Sequence, residues 1–599
     1  MIVAMVLFSF FMTLRLSYNF AADTMRPMIT GQRGIVAAGR HYSVSGGVRM
    51  LEQGGNAFDA GVAAVFAAAV AEISHFGFGG EAPVVLFDAQ SKQVAVINGQ
   101  GPAPKGASVE LFKSKGKIDA NGPLGATVPA VLDAMTLVLE KYGTMRLEQV
   151  LQPAIELADG FPMYEYLANV MKAEKKNCEP WKATMETYYP DGRPPEAGEM
   201  FRQPNLAKTL RAIVAAERDH FRRHKHRATA LRAGRDLFYK GSIGRAIVEA
   251  NRAAGGVFTY EDLANYQGRL EKPAMTTYRG YEVYKAGPWN QGPVLLQTLN
   301  ILEGFDLAGM GHLSTEYIHT VTEAIKLAYD DRDAYYGDPD FVRVPMQGLL
   351  SKTYAGERQK LIDRRQARLD HRPGDPYRHE NGPQTTLRSP YLPHAEGSKG
   401  TIEIGDTTGV NVVDQSGNLF SCTPSSGWIL GGAFIAGDTG VPLSNRMQAF
   451  VLDPRSPNGL VGGKRPRTTL TPTIILKDGR PFLAMSTPGG DNQDQQILNV
   501  LLNIVDFGMD VQAAIEAPRF NSQHMFASFD NHADNPGSMD IEDRVAPGVI
   551  VALRAKGHKV NVKPAYGIST GITAVGLDPK HKTLRGGADV RRERYIFGW

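Results

Sequence analysis

Residues 405–423 read Gly-Asp-Thr-Thr-Gly-Val-Asn-Val-Val-Asp-Gln-Ser-Gly-Asn-Leu-Phe-Ser-Cys-Thr. Val410–Val413 and Leu419–Thr423 are short β-rich runs, and Asp414 to Asn418 between them are turn formers, so the pair reads as a hairpin. The chain before it has another character. Arg364 to Gly400 carries Pro373, Pro376, Pro383, Pro390 and Pro393 among charges and glycines, the composition of an extended, mobile linker. A linker ending close to Asp406-Thr407, with a strand starting just beyond, suits a chain that is cut there and leaves Thr407 as a new terminus.

A free N-terminal threonine is a self-contained catalyst. Its hydroxyl attacks a carbonyl and its own α-amine accepts the proton. An α-amine titrates near 7.7–8.0 in model peptides, which leaves a neutral fraction at physiological pH. Before cleavage the same hydroxyl can attack the carbonyl of Asp406, turning amide into ester for water to open. Asp-Thr dipeptides are common, so the pattern alone is weak.

Outward from the hairpin the chain reads as ordered α/β protein from Gly34 onward. Gly54-Gly55-Asn56 turns into Ala60–Ala71, a mostly apolar run bracketed by Asp59 and Glu72 that suits a helix buried on all sides. Val84–Phe87 and Val94–Ile97 follow as β-rich runs. Val131 to Asp363 reads as mostly helical, Thr320–Tyr329 being one example. The basic stretch Arg218 to Arg227 reads as a solvated helix face. Thr473–Leu476 and Phe482–Ser486 form a second hairpin around Lys477-Asp478-Gly479. Ile497, Val500, Leu501, Ile504 and Val505 then share one helix face. Strand pairs with flanking helices predict an α+β fold of two sheets sandwiched between helix layers.

The bulk composition bounds function. The 599 residues are 43% hydrophobic and 21% charged, with a net charge of +4, which argues against a dedicated nucleic-acid or membrane-surface binder. The two cysteines, Cys178 and Cys422, lack metal-ligand spacing and read as buried free thiols. Met1 to Met12 is apolar enough for a signal-peptide core, yet no Lys or Arg precedes it, and Met25 is an alternative initiator. The span is too short for a stable membrane helix. Location is left between cytoplasm and export.

Several short motifs form an ordered set. Gly54-Gly55-Asn56-Ala57-Phe58-Asp59-Ala60, Thr407-Thr408 with Val412-Val413-Asp414, Lys464-Arg465-Pro466, Pro488-Gly489-Gly490, Glu516-Ala517-Pro518-Arg519 and Gly587-Ala588-Asp589 resemble, in order, the signatures of the γ-glutamyltranspeptidase family. The resemblance covers about residues 30–599. It implies a four-layer αββα N-terminal-nucleophile hydrolase fold, no metal or organic cofactor, and autocleavage at Asp406–Thr407. Residues 25–406 would become a large subunit and 407–599 a small one, the two staying associated around a small-molecule amide substrate. Thr407 then matches the nucleophile, and Ser425 the hydroxyl that hydrogen-bonds it. Gly489 and Gly490 match the glycines whose N–H groups hold the oxyanion, and Thr468 and Thr469 the paired hydroxyls that bind substrate carboxylate.

Three departures concern the glutamyl head group. The family's carboxylate-clamping arginine aligns with Gln100. Its ammonium-binding glutamine and aspartate align with Arg446 and Ala449, and Gly427 replaces an asparagine. A guanidinium at 446 facing an ammonium at about 4 Å would cost on the order of 4 kcal/mol at an effective dielectric near 20. Arg446 instead suits a carboxylate without an α-amine. Two substrate readings follow, a γ-glutamyl amide such as glutathione, or a non-glutamyl acyl amide such as a dicarboxylic monoamide or cephalosporin side chain. A third reading, of another class, is an uncleaved protein that binds small acidic ligands.

Overall fold

The computed structural model describes residues 24–381, 391, 407–427, 429–529 and 532–599. Asp406 and the part of the expected linker from 382 to 400, Tyr391 apart, lie outside them.

The first hairpin forms as expected. Strand Val410–Asp414 pairs antiparallel with Leu419–Cys422 and, on its other side, with Gly34–Ala38. These three sit in the middle of a seven-stranded sheet extended by Val84–Asp88, Gln93–Asn98, Arg269–Glu271 and Tyr595–Gly598. The second hairpin, Thr473–Lys477 with Arg480–Ser486, lies central in another seven-stranded sheet. Ile35, Val85, Val413 and Leu419 of the first sheet meet Ile474, Ala484 and Val575 of the second in one dry core. Polar ties also cross the gap: Asn411 Nδ2 donates to Ser486 Oγ at 2.7 Å, and Ser421 Oγ donates to the Met485 carbonyl at 2.9 Å.

Each outer face is covered by helices. Val410, Val412, Phe420 and Cys422 pack on the layer containing His41–Glu52 and Ala57–Ala71. Ile475, Leu483 and Met485 pack on Pro293–Leu302, Thr315–Tyr335 and Gln493–Val505. The result is the expected αββα order of layers.

The motif at residues 54–60 has a structural cause. Asn56 caps the Ala57–Ala71 helix by accepting from Phe58 N and Asp59 N, and Asp59 returns the bond to Asn56 N. Asp59 also accepts from Thr144 N and Met145 N, and Asp414 accepts from Ala57 N at 2.9 Å. Every residue of the helix is buried. At Gly61 a Cβ would fall 2.4 Å from Phe420, so glycine lets helix and hairpin touch.

The region 131–363 is mostly helical, as expected, although Ala274–Tyr278 and Tyr281–Lys285 form a hairpin on the edge of the second sheet. Its two-residue turn, Arg279-Gly280, has both φ angles positive (47° and 81°), the geometry that suits tight hairpins. One expectation needs correction: 364–381 is anchored rather than free. Ala367 N donates to the Lys556 carbonyl at 2.7 Å, and Gly374 N to Asp331 at 2.8 Å. Arg368 pairs with Asp330 at 2.7 Å, and His371 spans Asp330 and Asp534 at 2.9 and 3.0 Å. Burial alone would lower the His371 pKa, but its bonds to Asp330 and Asp534 outweigh that and raise it.

Both cysteines are buried and free. Among the described residues no helix is long and apolar enough to cross a membrane.

Candidate active site

Thr407 is buried just before the strand Val410–Asp414, at one edge of the inter-sheet space. Thr408 N donates to the Pro424 carbonyl at 3.1 Å, which draws the segment against the chain leaving the hairpin's second strand. There Ser425 sits with its Oγ 3.2 Å from Thr407 Oγ1, accepting from it. The expected nucleophile and its hydroxyl partner are thus brought together.

Ser425 is fixed by its neighbours. Its backbone exchanges two hydrogen bonds with Glu81, at 2.9 and 3.0 Å. Its Oγ also accepts from Gly427 N at 3.0 Å and from Arg446 Nη2 at 2.8 Å. Arg446, 1% exposed, is itself held by Glu81, with Nε and Nη2 each 2.5 Å from the same carboxylate oxygen. Burial raises the Glu81 pKa and Arg446 opposes the shift. The guanidinium read as facing the substrate therefore has a counter-charge of its own. Glu81 escaped the sequence reading; its one signal was a lone carboxylate in the glycine-rich, apolar run from Phe76 to Phe87.

Gly427 has φ +92°, and a Cβ there would fall 2.4 Å from Asn445 Oδ1. An asparagine at this φ would be strained and would require the Asn445 side chain to move. Gln100 is buried and donates to its neighbour's carbonyl, Gly101 O, at 3.0 Å. It lines a polar cleft of about 190 Å³ with Tyr266, Arg269, Asp338 and Arg465. Gly99 O accepts from Ala82 N at 2.9 Å, so the Gln100 loop runs beside Glu81. No hydrogen bond among the described residues joins Gln100 to Thr407, Ser425 or Arg446.

The glycine turn follows strand Arg480–Ser486, whose last residue lies against Gly409: a Cβ there would meet Ser486 Oγ at 2.5 Å. Thr407 stands two residues before that contact and Gly489 three after it. Gly489 and Gly490 have φ of +127° and +54°. Among the described residues their two N–H groups donate to no backbone or side-chain acceptor, which leaves them available to a ligand oxygen. Thr468 meets the same turn indirectly. Its Oγ1 accepts from Asn290 Nδ2 at 3.1 Å and its carbonyl from Gln291 N at 2.8 Å, while Gln291 Nε2 reaches Gly490 O at 3.5 Å. Thr469 is buried beside it.

Beneath the turn lies a charged floor that sequence reasoning missed. Arg332 pairs with Asp491 and donates to Gln291 Oε1 at 3.0 Å, and Ser528 donates to Asp491 through N and Oγ at 2.9 and 2.6 Å. Burial alone would raise Asp491, but Arg332 and Ser528 hold it below the usual carboxylate range.

Two clusters have metal-ligand composition, His319–Glu323–His558 and Asp330–His371–His524. Most of their donors are already engaged, His524 Nε2 and His558 Nδ1 excepted. Lys326 occupies Glu323 at 2.6 Å, and two aspartates hold both nitrogens of His371. His524 Nδ1 accepts from Gly537 N at 3.0 Å, which leaves the neutral ring's proton on Nε2 and makes that atom a donor rather than a ligand.

The chain matches the family model Gamma-glutamyltranspeptidase over residues 44–599. It belongs to that family. The glutathione hydrolase proenzyme of Escherichia coli (strain K12) is 33% identical over 595 residues, spanning 96% of this chain and 93% of that protein. Among solved structures, LmbA2991HD superposes with a TM-score of 0.87 at 35% identity, covering 96% of this chain and 100% of that one. A cephalosporin acylase from Bacillus halodurans gives 0.82 at 29% identity, covering 98% and 99%. The protein is thus an enzyme of the γ-glutamyltransferase type, and its αββα layers are those of the N-terminal-nucleophile hydrolases.

Proposed function

We propose that the chain cleaves itself between Asp406 and Thr407, and that Thr407 then serves as the nucleophile of an amide hydrolase. The observation that carries this is the 3.2 Å contact of Thr407 Oγ1 with Ser425 Oγ, close in the chain path to the two unengaged amides of Gly489 and Gly490. In the precursor, Thr407 Oγ1 attacks the Asp406 carbonyl carbon. The C–N bond breaks, the hydroxyl proton ends on nitrogen, and water opens the resulting ester. Two chains result, 25–406 and 407–599 or close to these, held together because strands of both share each sheet.

In the mature enzyme the α-amine takes the Oγ1 proton as Oγ1 bonds to the substrate carbonyl carbon. The carbonyl electron pair moves to oxygen, where the Gly489 and Gly490 N–H groups stabilise it. On collapse the C–N bond breaks and the leaving nitrogen takes the proton from the ammonium. Water, deprotonated by the same amine, then releases the acid and restores Thr407.

The favoured substrate is an acyl amide without a zwitterionic head, such as a dicarboxylic monoamide. Gln100 is neutral, Ala449 offers no carboxylate, and Arg446 is compensated by Glu81. The likeness to a protein named as a cephalosporin acylase supports this. One observation favours a γ-glutamyl substrate instead. Among the described residues, Glu81 Oε2 and Arg446 Nη1 are both buried without a hydrogen-bond partner, a carboxylate oxygen and a guanidinium nitrogen that suit an ammonium and a carboxylate. Intact mass spectrometry of wild type beside Thr407→Ala tests the nucleophile: two fragments, the smaller beginning at Thr407, against one uncut chain. An uncut wild type would remove the free amine on which the mechanism depends. Glutaryl- and γ-glutamyl-p-nitroanilide compared on the cleaved protein decide the substrate, with faster glutaryl turnover expected.

A further inference from the structure

We propose that the buried Glu81–Arg446 pair is a positioning device that sets the direction of the Ser425 hydroxyl and, through it, the state of Thr407 Oγ1. The inference rests on the reading of Thr407 as nucleophile. A serine hydroxyl has two acceptor lone pairs and one proton. Three donors converge on Ser425 Oγ: Arg446 Nη2 at 2.8 Å, Gly427 N at 3.0 Å and Thr407 Oγ1 at 3.2 Å. The two N–H groups cannot reverse their direction. The hydroxyl–hydroxyl contact, the longest of the three, can.

That asymmetry gives the pair a task. When the freed α-amine takes the Thr407 hydroxyl proton, Oγ1 needs a donor at the moment negative charge grows on it. With Arg446 and Gly427 occupying both lone pairs, Ser425 can meet Oγ1 only as a donor. The guanidinium beside the Ser425 oxygen makes that O–H a stronger donor in this buried setting. Glu81 keeps the guanidinium in place twice over: its carboxylate binds Nε and Nη2, and its backbone is hydrogen-bonded on both sides to Ser425. No bond to substrate is needed for this role, in which Arg446 and Glu81 act through Ser425.

The test uses the whole chain and a small acyl donor, 4-nitrophenyl acetate, with acetylation of the Thr407 fragment followed by mass. Removing one charge alone would leave the other buried and unpaired, which by itself destabilises. The informative variant is therefore the neutral double, Glu81→Gln with Arg446→Gln, compared with Ser425→Ala and with the triple variant. The double is expected to lower both precursor cleavage and acetylation by about ten-fold or more, below the 10²–10³ of a direct oxyanion donor. The triple should fall no further than Ser425→Ala, because the effects share one path. Arg446→Lys, which keeps charge and donor, should recover part of the rate.

A double variant that folds with wild-type thermal stability and acetylates within about two-fold of wild type would overturn the proposal. A triple variant that multiplies the two losses would do the same. Failure of the underlying reading is distinguishable: wild type would then show no fragment starting at Thr407, or no acetyl group on it.

Discussion

Replacing Gly489 by alanine should separate the geometry of the glycine turn from its chemistry. Alanine keeps the N–H, so any loss must come from moving it. Gly489 has φ +127° and ψ +26°, a region that costs a residue with a Cβ about 1–3 kcal/mol. The new Cβ would also fall 2.8 Å from Thr570 Cγ2. Thr570 cannot turn that methyl away cheaply. Its Oγ1 accepts from Arg519 Nη1 at 2.6 Å, and Arg519 is buried against Asp589 at 2.8 Å. The next residue, Gly571, donates to Thr487 Oγ1 at 3.1 Å and ties the two segments together. Overpacking of this kind costs about 1–3 kcal/mol, so the combined penalty is about 2–6 kcal/mol if the turn stays in place. The turn yields more readily than that. Oxyanion donors must lie within about 2.7–3.1 Å of the developing charge, and a misplacement near 1 Å costs on the order of 10²-fold. Gly489→Ala should therefore lower amide hydrolysis by about two orders of magnitude with a modest fall in thermal stability. Adding Thr570→Ser removes the methyl, keeps the hydroxyl on Arg519, and should return about ten-fold of the activity. Gly489→Ala activity within about three-fold of wild type would refute the assignment of this turn to the oxyanion, and no recovery with Thr570→Ser would refute the clash as the cause.

Two further expectations concern stability. Lys285 and Asp494 are both buried and 2.8 Å apart, with Lys285 also donating to Thr473 Oγ1 at 2.9 Å. Lys285→Met should cost about 3–5 kcal/mol in urea unfolding by stranding Asp494, and a second change, Asp494→Asn, should recover most of it; an additive double variant would deny the coupling. His371 is faced by Asp330, Asp534, Arg368 and His524. Its pKa is raised in the fold, so its contribution is complete below the unfolded value of about 6.5 and is lost as pH rises through the folded value. Asp330, pulled down to about 2 despite its burial, adds stability that fails only in strong acid. Proteolytic cutting within 364–381 should therefore quicken from about pH 6 to about pH 9, and His371→Gln should flatten the profile. An unchanged wild-type rate across that range would show that the histidine does not hold the segment.

Much of the fold was legible because local chemistry and global layout agree. Both central hairpins are β-rich runs around turn residues, and the Asn56 cap with its Asp59 return bond is a local signature. The hairpin at 274–285 was legible in principle, through its Thr, Tyr and Val content and the Arg279-Gly280 turn, but the helical periodicity on either side hid it. The anchored stretch at 364–381 was not legible. Its prolines and charges have linker composition, and only the acceptors on Asp330, Asp331 and Asp534 make it a bound segment. The glycine pair and the Thr407–Ser425 contact follow from an ordered set of motifs, whereas the floor of Arg332, Asp491 and Ser528 joins residues far apart in sequence that no period links.

Arg446 marks where sequence reasoning reached its physical limit. An arginine replacing a polar residue near a nucleophile reads as an added charge, and the resulting repulsion toward an ammonium follows from Coulomb's law. At 1% exposure, however, an unpaired guanidinium pays a desolvation cost that no small substrate repays in every catalytic state. Burial therefore demands a permanent carboxylate, and the fold supplies one 365 positions earlier, at Glu81. The same burial decides what the guanidinium does. Two of its nitrogens are committed to Glu81 and one of those also to Ser425, so beyond its counter-ion it holds the hydroxyl that touches Thr407 Oγ1. The loss of a cation at Gln100 and the gain of one at Arg446 are therefore not a charge moved across a substrate pocket. The first leaves a neutral side chain in a separate cleft, and the second braces the Ser425 hydroxyl that the proposed nucleophile touches.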